Sequence, residues 1–165
     1  MNKDDPCPCA IKTLVSTKFR RQIGHGTRED CLSAEFFKSN TCFMTKGIVT
    51  RLSDQTGKSF FNYQVGMPDA LYVCNKDKVL IECKRYYKNS GSNKSNGCDV
   101  RNGLLQLVEY CRHYGIKEGI LVVFDAVGVQ VDKETRNLVL QFHDFLGVEI
   151  HMVWISKNIT YDEFV

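Results

Sequence analysis

The sequence contains little proline, little net charge and no long hydrophobic run. Only three of its 165 residues are proline, and the formal net charge is +3. No stretch approaches the roughly 18 consecutive apolar residues that cross a membrane, which excludes a transmembrane helix. The small net charge means that composition alone does not indicate a nucleic-acid-binding protein.

The start of the given sequence does not have the residue pattern expected of a secretory signal. The segment MNKDDPCPCAIKTLV has no apolar run preceded by basic residues, so we expect an intracellular protein, cytoplasmic or nuclear, without membrane contact. With 43% hydrophobic and 25% charged residues, the composition is typical of a globular protein large enough to bury a core. No repeat or low-complexity linker divides the chain, so we expect residues 1–165 to form a single domain.

Eight cysteines are present in a chain that we expect to remain in a reducing compartment, which favours free thiols or a metal site over disulfides. Cys7, Cys9, Cys31 and Cys42 combine one C-x-C pair with two isolated cysteines, a spacing that fits no common zinc site. The other four, at positions 74, 83, 98 and 111, alternate with strand and helix residues and are typical of small core side chains. A structural metal remains the alternative.

Local patterns predict an alternation of helices and strands. Thr27 and Asp30 form a helix-start signature ahead of Leu32 and Phe36. The remaining predicted elements are strands at 41–53, 58–65, 69–74 and 79–85, a polar loop at 88–103, a helix ended by Gly115, a buried strand at 119–127, a helix at 134–146 ended by Gly147, and a final strand at 148–156. This order predicts an α/β protein with a mixed central β-sheet flanked by helices.

The segment GMPDALYVCNKDKVLIECKRYY (66–87) places charged residues inside apolar strands. Side chains alternate along a strand, so Glu82 and Lys84 share one face, while Val79, Ile81 and Cys83 occupy the other. A turn centred on positions 76 and 77 would place Asp69 opposite Lys84 and Leu71 opposite Glu82. Asp69, Glu82 and Lys84 would then lie within roughly 5–8 Å of each other. Two carboxylates this close repel unless a cation such as Mg²⁺ separates them. The alternative is an exposed hairpin with ordinary salt bridges.

The pattern of these residues resembles the signature of a known protein family. Pro68-Asp69, followed after twelve residues by Glu82-Cys83-Lys84, resembles the PD-(D/E)xK nuclease signature. The resemblance implies a restriction-endonuclease-like core at about 27–125, a helix–strand extension at 134–156, and an endonuclease that hydrolyses phosphodiester bonds with Mg²⁺ or Mn²⁺. Asp69, Glu82 and the backbone carbonyl of Cys83 would bind the metal, which lowers the pKa of a bound water. Lys84 would orient or deprotonate that water, or stabilise the transition-state charge. Since Val79, Ile81 and Cys83 carry the apolar face, we expect no core cavity when the Lys84 side chain is removed.

Further residues extend the resemblance. Many members, Holliday-junction resolvases among them, carry a glutamate in the first helix that completes the metal site, as Glu29 would here; the alternative is an acid favoured by the helix dipole. Gln106 and Tyr110 are similar to the Q-x-x-x-Y element of RecB-type nucleases, in which Gln106 would position Lys84 or the water. Their alternative is an ordinary amphipathic helix. His25 is similar to a histidine that binds manganese in viral cap-snatching endonucleases, although its two flanking glycines are typical of a loop.

The expected partner is nucleic acid, with DNA favoured over RNA. Four basic residues near the motif are candidate phosphate ligands: Arg28, Arg85, Lys88 and Arg101. The resemblance to resolvases and restriction enzymes implies a homodimer. Two alternatives stay open: an RNA endonuclease of the cap-snatching type, and a non-catalytic nucleic-acid-binding module with the same fold.

Overall fold

The computed structural model describes residues 17–24, 28–39, 48–52, 67–74, 76–87, 97–126, 146–156 and 160–164. Within these ranges the helices are α1 (Thr17–Gln22), α2 (Glu29–Ser39) and α3 (Gly97–Tyr114), and the strands are β1 (Ile48–Arg51), β2 (Ala70–Cys74), β3 (Asp77–Tyr86), β4 (Glu118–Asp125), β5 (Glu149–Ser156) and β6 (Thr160–Phe164). None of the three helices is both long and apolar enough to cross a membrane.

The six strands form one mixed sheet in which each strand pairs with the next in sequence. β1, β2 and β3 are antiparallel, β3, β4 and β5 are parallel, and β6 returns antiparallel to β5. The parallel strands are the most apolar part of the chain, and in β4 every residue from Gly119 to Asp125 is buried. Parallel strands covered on both faces have this composition. The predicted α/β architecture, a mixed sheet flanked by helices, is confirmed.

One face of the sheet is covered by α1 and α2. The rings of Phe19 in α1, Phe36 in α2 and Phe124 in β4 contact one another with centroids 5.6–5.8 Å apart. They pack with Ile81 and Cys83 of β3 in a single buried cluster. Each such side chain stabilises the fold by about 1.5–3 kcal/mol through burial, and tilted aromatic pairs add about 0.5–1.5 kcal/mol.

The other face is covered by α3. Leu104, Leu107, Val108 and Cys111 recur at helical spacing and pack, fully buried or nearly so, in one cluster that includes Leu80 of β3. The helix ends as predicted at Gly115, whose φ is +67°. The Ile116 N–H closes the end by donating to the Cys111 carbonyl at 2.9 Å.

The start of α3 differs from the prediction. The helix begins at Gly97, inside the segment 88–103 that we expected to be a loop; residues 88–96 lie outside the described ranges. The polar composition of these residues is typical of a loop, but Val100 is 2% exposed and packs in the same cluster as Leu104. Tertiary packing therefore overrides local propensity over the first two turns.

The hairpin register also differs from the prediction. Ala70 pairs with Ile81 and Cys74 with Asp77, so Leu71 lies opposite Leu80 rather than Glu82. The partners are displaced by two positions, and a two-residue displacement returns every side chain to its predicted face. Glu82 and Lys84 therefore still point away from the cluster that contains Val79, Ile81 and Cys83.

Several other predictions fall near the edges of the described ranges. β1 lies inside the predicted strand 41–53, whereas the predicted strand 58–65 and the helix 134–146, except its last residue, lie outside the described part of the chain. Gly147, with φ +63°, follows a helical residue, as expected for a helix end. α1 and β6 were not predicted, and β5 is not the final strand. The sequence of β6, TYDEF, is mostly polar and gives little strand signal.

Trp154, the single tryptophan, offers a test of this packing because its indole Nε1–H donates to buried Asp125 Oδ2 at 2.7 Å. We expect Trp154→Phe to lower the free energy of unfolding by about 2–4 kcal/mol, because it removes the hydrogen bond to the buried Asp125 carboxyl group and leaves a partial cavity. Urea unfolding followed by circular dichroism measures this. Met152→Leu, a buried apolar swap on the same strand, is the control and should cost less than about 1.5 kcal/mol. Equal effects of the two substitutions would contradict a structural role for the hydrogen bond.

Candidate functional site

Four of the predicted site residues meet at the end of β3 that lies beside the start of α2. Asp69 directly precedes β2, Glu82 and Lys84 lie on β3, and Glu29 is the first residue of α2. Lys84 Nζ lies 3.0 Å from Glu82 Oε1 and 3.6 Å from Glu29 Oε1. We refer to Glu29, Asp69, Glu82 and Lys84 as the carboxylate–lysine cluster.

Asp69 is held between three strands by its own backbone and side chain. Its carbonyl oxygen accepts a 2.9 Å hydrogen bond from the Leu52 N–H, next to the end of β1. Its Oδ2 accepts a 2.7 Å bond from the Cys83 N–H on β3. Because Cys83 lies between Glu82 and Lys84, this bond fixes the Asp69 carboxylate beside both of them. The predicted convergence is therefore confirmed, with Asp69 nearer the level of Glu82 than the expected register implied.

Glu29 links α2 to β3. Its Oε2 accepts a 2.8 Å hydrogen bond from the Arg85 N–H, while its Oε1 faces Lys84. An acidic residue in the first turn of a helix is also favoured by the helix dipole. The two interpretations of Glu29 are therefore compatible, since the carboxylate lies at the helix start and is turned toward the cluster.

Burial dominates the electrostatics of the cluster. Glu82 is only 5% exposed, and burial, followed by the charge of Asp69, raises its pKa to about 8. Burial also raises the pKa of Asp69, although the Cys83 N–H and Lys84 oppose the rise. For Lys84, burial alone would lower the pKa, but Glu82 and Glu29 raise it above its usual value. Lys84 therefore carries its positive charge at neutral pH.

The donor atoms of the cluster suit a hard divalent cation. Glu82 Oε2 is buried and has no hydrogen-bond partner among the described residues, and carboxylate oxygens are the ligands that Mg²⁺ prefers. In the present arrangement, with Lys84 between Glu82 and Glu29, no group of three His, Cys, Asp or Glu within the described ranges could hold a metal ion. The Cys83 thiol is buried on the opposite face, so only its backbone carbonyl is a candidate ligand there.

An open cleft of about 650 Å³ adjoins the cluster. Its walls combine the start of α2, the end of β3 and the exposed side of α3; they are formed by Arg28, Glu29, Asp30, Lys84, Arg85, Tyr87, Asn102 and Gln106. The Arg85 guanidinium lies 4.8 Å from the centre of the Tyr87 ring. Arg28 pairs with Asp30 at 3.2 Å and is mostly exposed. Two of the predicted phosphate ligands, Arg28 and Arg85, are thus placed beside the cluster.

The other predicted site residues have different positions. Gln106 lines the cleft, and Tyr110, one turn further along α3, is buried; its pKa is raised by burial and then by Glu82. Arg101 is not among the described residues that form the cleft. His25 and Lys88 lie outside the described ranges.

Four residues of this region were not predicted as site residues from the sequence patterns. Asp30, Tyr87 and Asn102 line the cleft, and Gly103 contacts Lys84. Asn102 and Gly103 were assigned to a loop, so their helical position beside the cluster was not apparent. Val100 shares the helical period of Leu104, Leu107 and Val108. That period, extended backward to Val100, places Asn102 and Gly103 inside the helix.

Comparisons with protein-family models, with curated proteins and with solved structures found no match to this chain. The function of the chain is therefore inferred from the geometry of the carboxylate–lysine cluster and from the sequence motif that the cluster contains.

The raised pKa of Glu82 predicts a pH dependence of stability. An acid whose pKa rises from its ordinary 4.5 to about 8 on folding binds its proton more tightly in the folded state. Its contribution to stability is therefore complete below about pH 4.5 and is lost progressively as the pH rises from there to about 8. The slope is at most about 1.4 kcal/mol per pH unit for one proton. The raised pKa of Asp69 likewise makes stability fall as the pH rises.

Urea unfolding of metal-free protein in chelator, between about pH 5 and 8, measures this slope. We expect Glu82→Gln to flatten it, because the amide does not titrate. Glu109→Gln, which removes an exposed carboxylate of α3, should keep the wild-type slope. Identical slopes for wild type and Glu82→Gln would contradict the assigned protonation.

Proposed function

We propose that the chain is a Mg²⁺- or Mn²⁺-dependent endonuclease that hydrolyses phosphodiester bonds, with DNA favoured as substrate. The observation that carries this proposal is the convergence of Glu29, Asp69, Glu82 and Lys84 from three separate segments of the chain, beside a cleft that Arg28 and Arg85 also line. The element order from α2 to β4, a helix, three antiparallel strands, a helix and a parallel strand, supports a restriction-endonuclease-like core.

A purely structural salt-bridge cluster accounts less well for this arrangement. Glu82 and Glu29 share a single lysine, the Asp69 carboxylate is bonded to the backbone beside them, and the most buried of the three, Glu82, leaves one oxygen without a partner among the described residues. Burying a carboxyl group with an unpaired oxygen opposes folding, most of all in its ionised form, whereas surface ion pairs contribute little either way. Such clusters of perturbed groups beside a cleft are typical of functional sites. A ligand that neutralises the carboxylates would offset the cost.

Metal binding is assigned to hard oxygen donors of the cluster. Asp69 and Glu82 would hold the ion, with Glu29 and the backbone carbonyl of Cys83 completing its ligands. When bound, Mg²⁺ or Mn²⁺ would supply an activated water and neutralise charge on the phosphate. The Cys83 N–H and Leu52 N–H keep Asp69 in place for this role.

Lys84 is best suited to electrostatic stabilisation. Because Glu82 and Glu29 raise its pKa above the usual value, its amine stays protonated near neutral pH and is a poor general base. A protonated Nζ can donate hydrogen bonds to phosphate oxygens as negative charge develops on them. Gln106, on the facing side of α3, lines the same cleft and is assigned to positioning the lysine or the water.

Substrate contacts are assigned to the outer cleft. Arg28 and Arg85 would bind phosphates, which contributes affinity without sequence preference. The resemblance to resolvases and restriction enzymes implies that the active species is a homodimer. A cap-snatching RNA endonuclease would require His25 as a metal ligand, and that position lies outside the described ranges.

One observation favours a second candidate, a non-catalytic nucleic-acid-binding module. Lys84 lies between Glu82 and Glu29 and already compensates part of their charge, and no three-residue metal group is present within the described ranges. The same cleft could then bind phosphates without cleaving them. Metal binding and cleavage separate the two candidates.

The metal assignment predicts a thermal shift. Mg²⁺ or Mn²⁺ at about 100 times its dissociation constant should stabilise the protein by about 2.7 kcal/mol, which is roughly 5–11 °C for a chain of this size. Asp69→Asn should lose most of this shift, because it removes a charged ligand. Glu109→Gln, an exposed change on α3, should retain it. Equal shifts for wild type and Asp69→Asn, measured by differential scanning fluorimetry, would exclude this cluster as the binding site.

The nuclease assignment predicts metal-dependent cleavage that requires Lys84. The Lys84 side chain is only 18% exposed and its stem packs on Gly103. The expectation that its removal leaves no cavity is therefore wrong, and Lys84→Met, which keeps the stem, is the informative variant. It should reduce cleavage by about a hundredfold to ten-thousandfold while the protein stays folded.

The assay compares linear duplex DNA, single-stranded DNA, a four-way junction and RNA, each with Mg²⁺, Mn²⁺ or chelator. Lys117→Met, an exposed lysine beyond α3, is the matched control and should cleave like wild type. Near-wild-type cleavage by Lys84→Met would overturn the role of Lys84. Binding without cleavage of any substrate by the wild type would favour the non-catalytic module.

A further inference from the structure

Gly103 lies in α3 directly over the stem of Lys84. A Cβ at position 103 would lie 2.5 Å from Lys84 Cγ, 2.6 Å from Cε and 3.0 Å from Cδ. Distances below 3.0 Å are not tolerated by real side chains, so one of the two groups must move. Because three successive parts of the stem are involved, rotation of the terminal ammonium alone does not relieve the overlap.

The backbone does not explain this glycine. Gly103 lies inside a regular helix of 18 residues, whereas the positive-φ glycines in the described ranges are Gly24, Gly115 and Gly147. Glycine is unfavourable inside a helix because its backbone loses the most freedom on folding. A glycine inside a helix leaves room for another group to approach the backbone closely. Here that group is the stem of Lys84.

We propose that Gly103 is a positioning residue for Lys84. The missing side chain opens a channel between α3 and β3 through which the lysine stem runs. That path sets Nζ 3.0 Å from Glu82 Oε1 and 3.6 Å from Glu29 Oε1. A methyl group at position 103 would move the stem and withdraw the ammonium from both carboxylates. The consequence for cleavage rests on the proposed function; the placement of the lysine does not.

A double-mutant cycle in stability tests the placement without any activity assay. In the wild-type background, Gly103→Ala should lower the melting temperature, since the overlap outweighs the better helix propensity of alanine. In the Lys84→Ala background the stem is gone, so Gly103→Ala should raise the melting temperature by roughly 2–4 °C through helix propensity. The same effect in both backgrounds would overturn the proposal.

The cycle remains decisive when Gly103→Ala alone does not fold. A double variant, Gly103→Ala with Lys84→Ala, that folds when the single variant does not would support the proposal. Failure of both to fold, while Lys84→Ala alone folds, would overturn it, because the overlap would then involve something other than the lysine stem.

Chemical labelling reports where the ammonium lies. In the wild type the Lys84 side chain is only 18% exposed and its amine is held against Glu82 and Glu29, so withdrawal from both carboxylates would leave the amine more accessible to a reagent. Acetylation of Lys84 followed by mass spectrometry, with exposed Lys117 as the internal standard, should therefore be faster in Gly103→Ala. An unchanged ratio of Lys84 to Lys117 labelling would overturn the proposal.

Gly119→Ala is the matched control for crowding. A Cβ at that glycine would lie 2.9 Å from Ile150 Cδ1 and 3.0 Å from Leu107 Cγ, so it strains the same α3–sheet interface away from Lys84. In the cleavage assay Gly103→Ala should lower kcat with KM nearly unchanged, and Gly119→Ala should lower kcat much less. Equal losses of kcat would overturn the positioning role. Absence of cleavage by the wild type would reject the proposed function, while the cycle and the labelling would still decide the placement.

Discussion

The buried carboxylate of Glu82 is the constraint around which the candidate site is organised. It lies on the central strand β3 with 5% exposure, and its pKa is raised to about 8 by burial and by Asp69. The ionised form of this carboxyl group is stable in such a place only with compensation. Lys84 supplies part of it at 3.0 Å, but one carboxylate oxygen still lacks a partner among the described residues. A bound divalent cation would complete the compensation, which is the physical basis of the proposed function.

The sheet order explains why these residues meet. β3 lies between antiparallel β2 and parallel β4, so Asp69 before β2 is brought beside Glu82, while β4, with β5 beyond it, covers the other edge of the strand. α2 begins where Glu29 can accept the Arg85 N–H. α3 then covers the polar face of β3 and leaves the cleft at its exposed side. α2 thus contributes Glu29, β3 contributes Glu82 and Lys84, and α3 forms one wall of the cleft.

Much of this arrangement could be predicted from the sequence, for identifiable reasons. The two-residue alternation in VLIECK predicts the faces of Glu82 and Lys84, and the motif spacing predicts that Asp69 joins them. The register was wrong by two positions, because a polar turn of several similar residues does not specify its centre. The start of α3 was wrong because glycine, asparagine and aspartate indicate a loop, while the burial of Val100 that stabilises the helix is tertiary. The fit between Gly103 and Lys84 depends on the separation of helix and sheet, which no local pattern encodes.

The number of protons released on metal binding depends directly on the protonation of Glu82. At about pH 7, Glu82 with a pKa of about 8 is mostly protonated in the metal-free protein, and a carboxylate must lose its proton to bind a metal. Calorimetric titration with Mn²⁺ in buffers of different ionisation enthalpy counts the protons released. We expect close to one proton per bound ion for the wild type and almost none for any ion bound by Glu82→Gln. Binding without proton release, or the same release from both proteins, would contradict it.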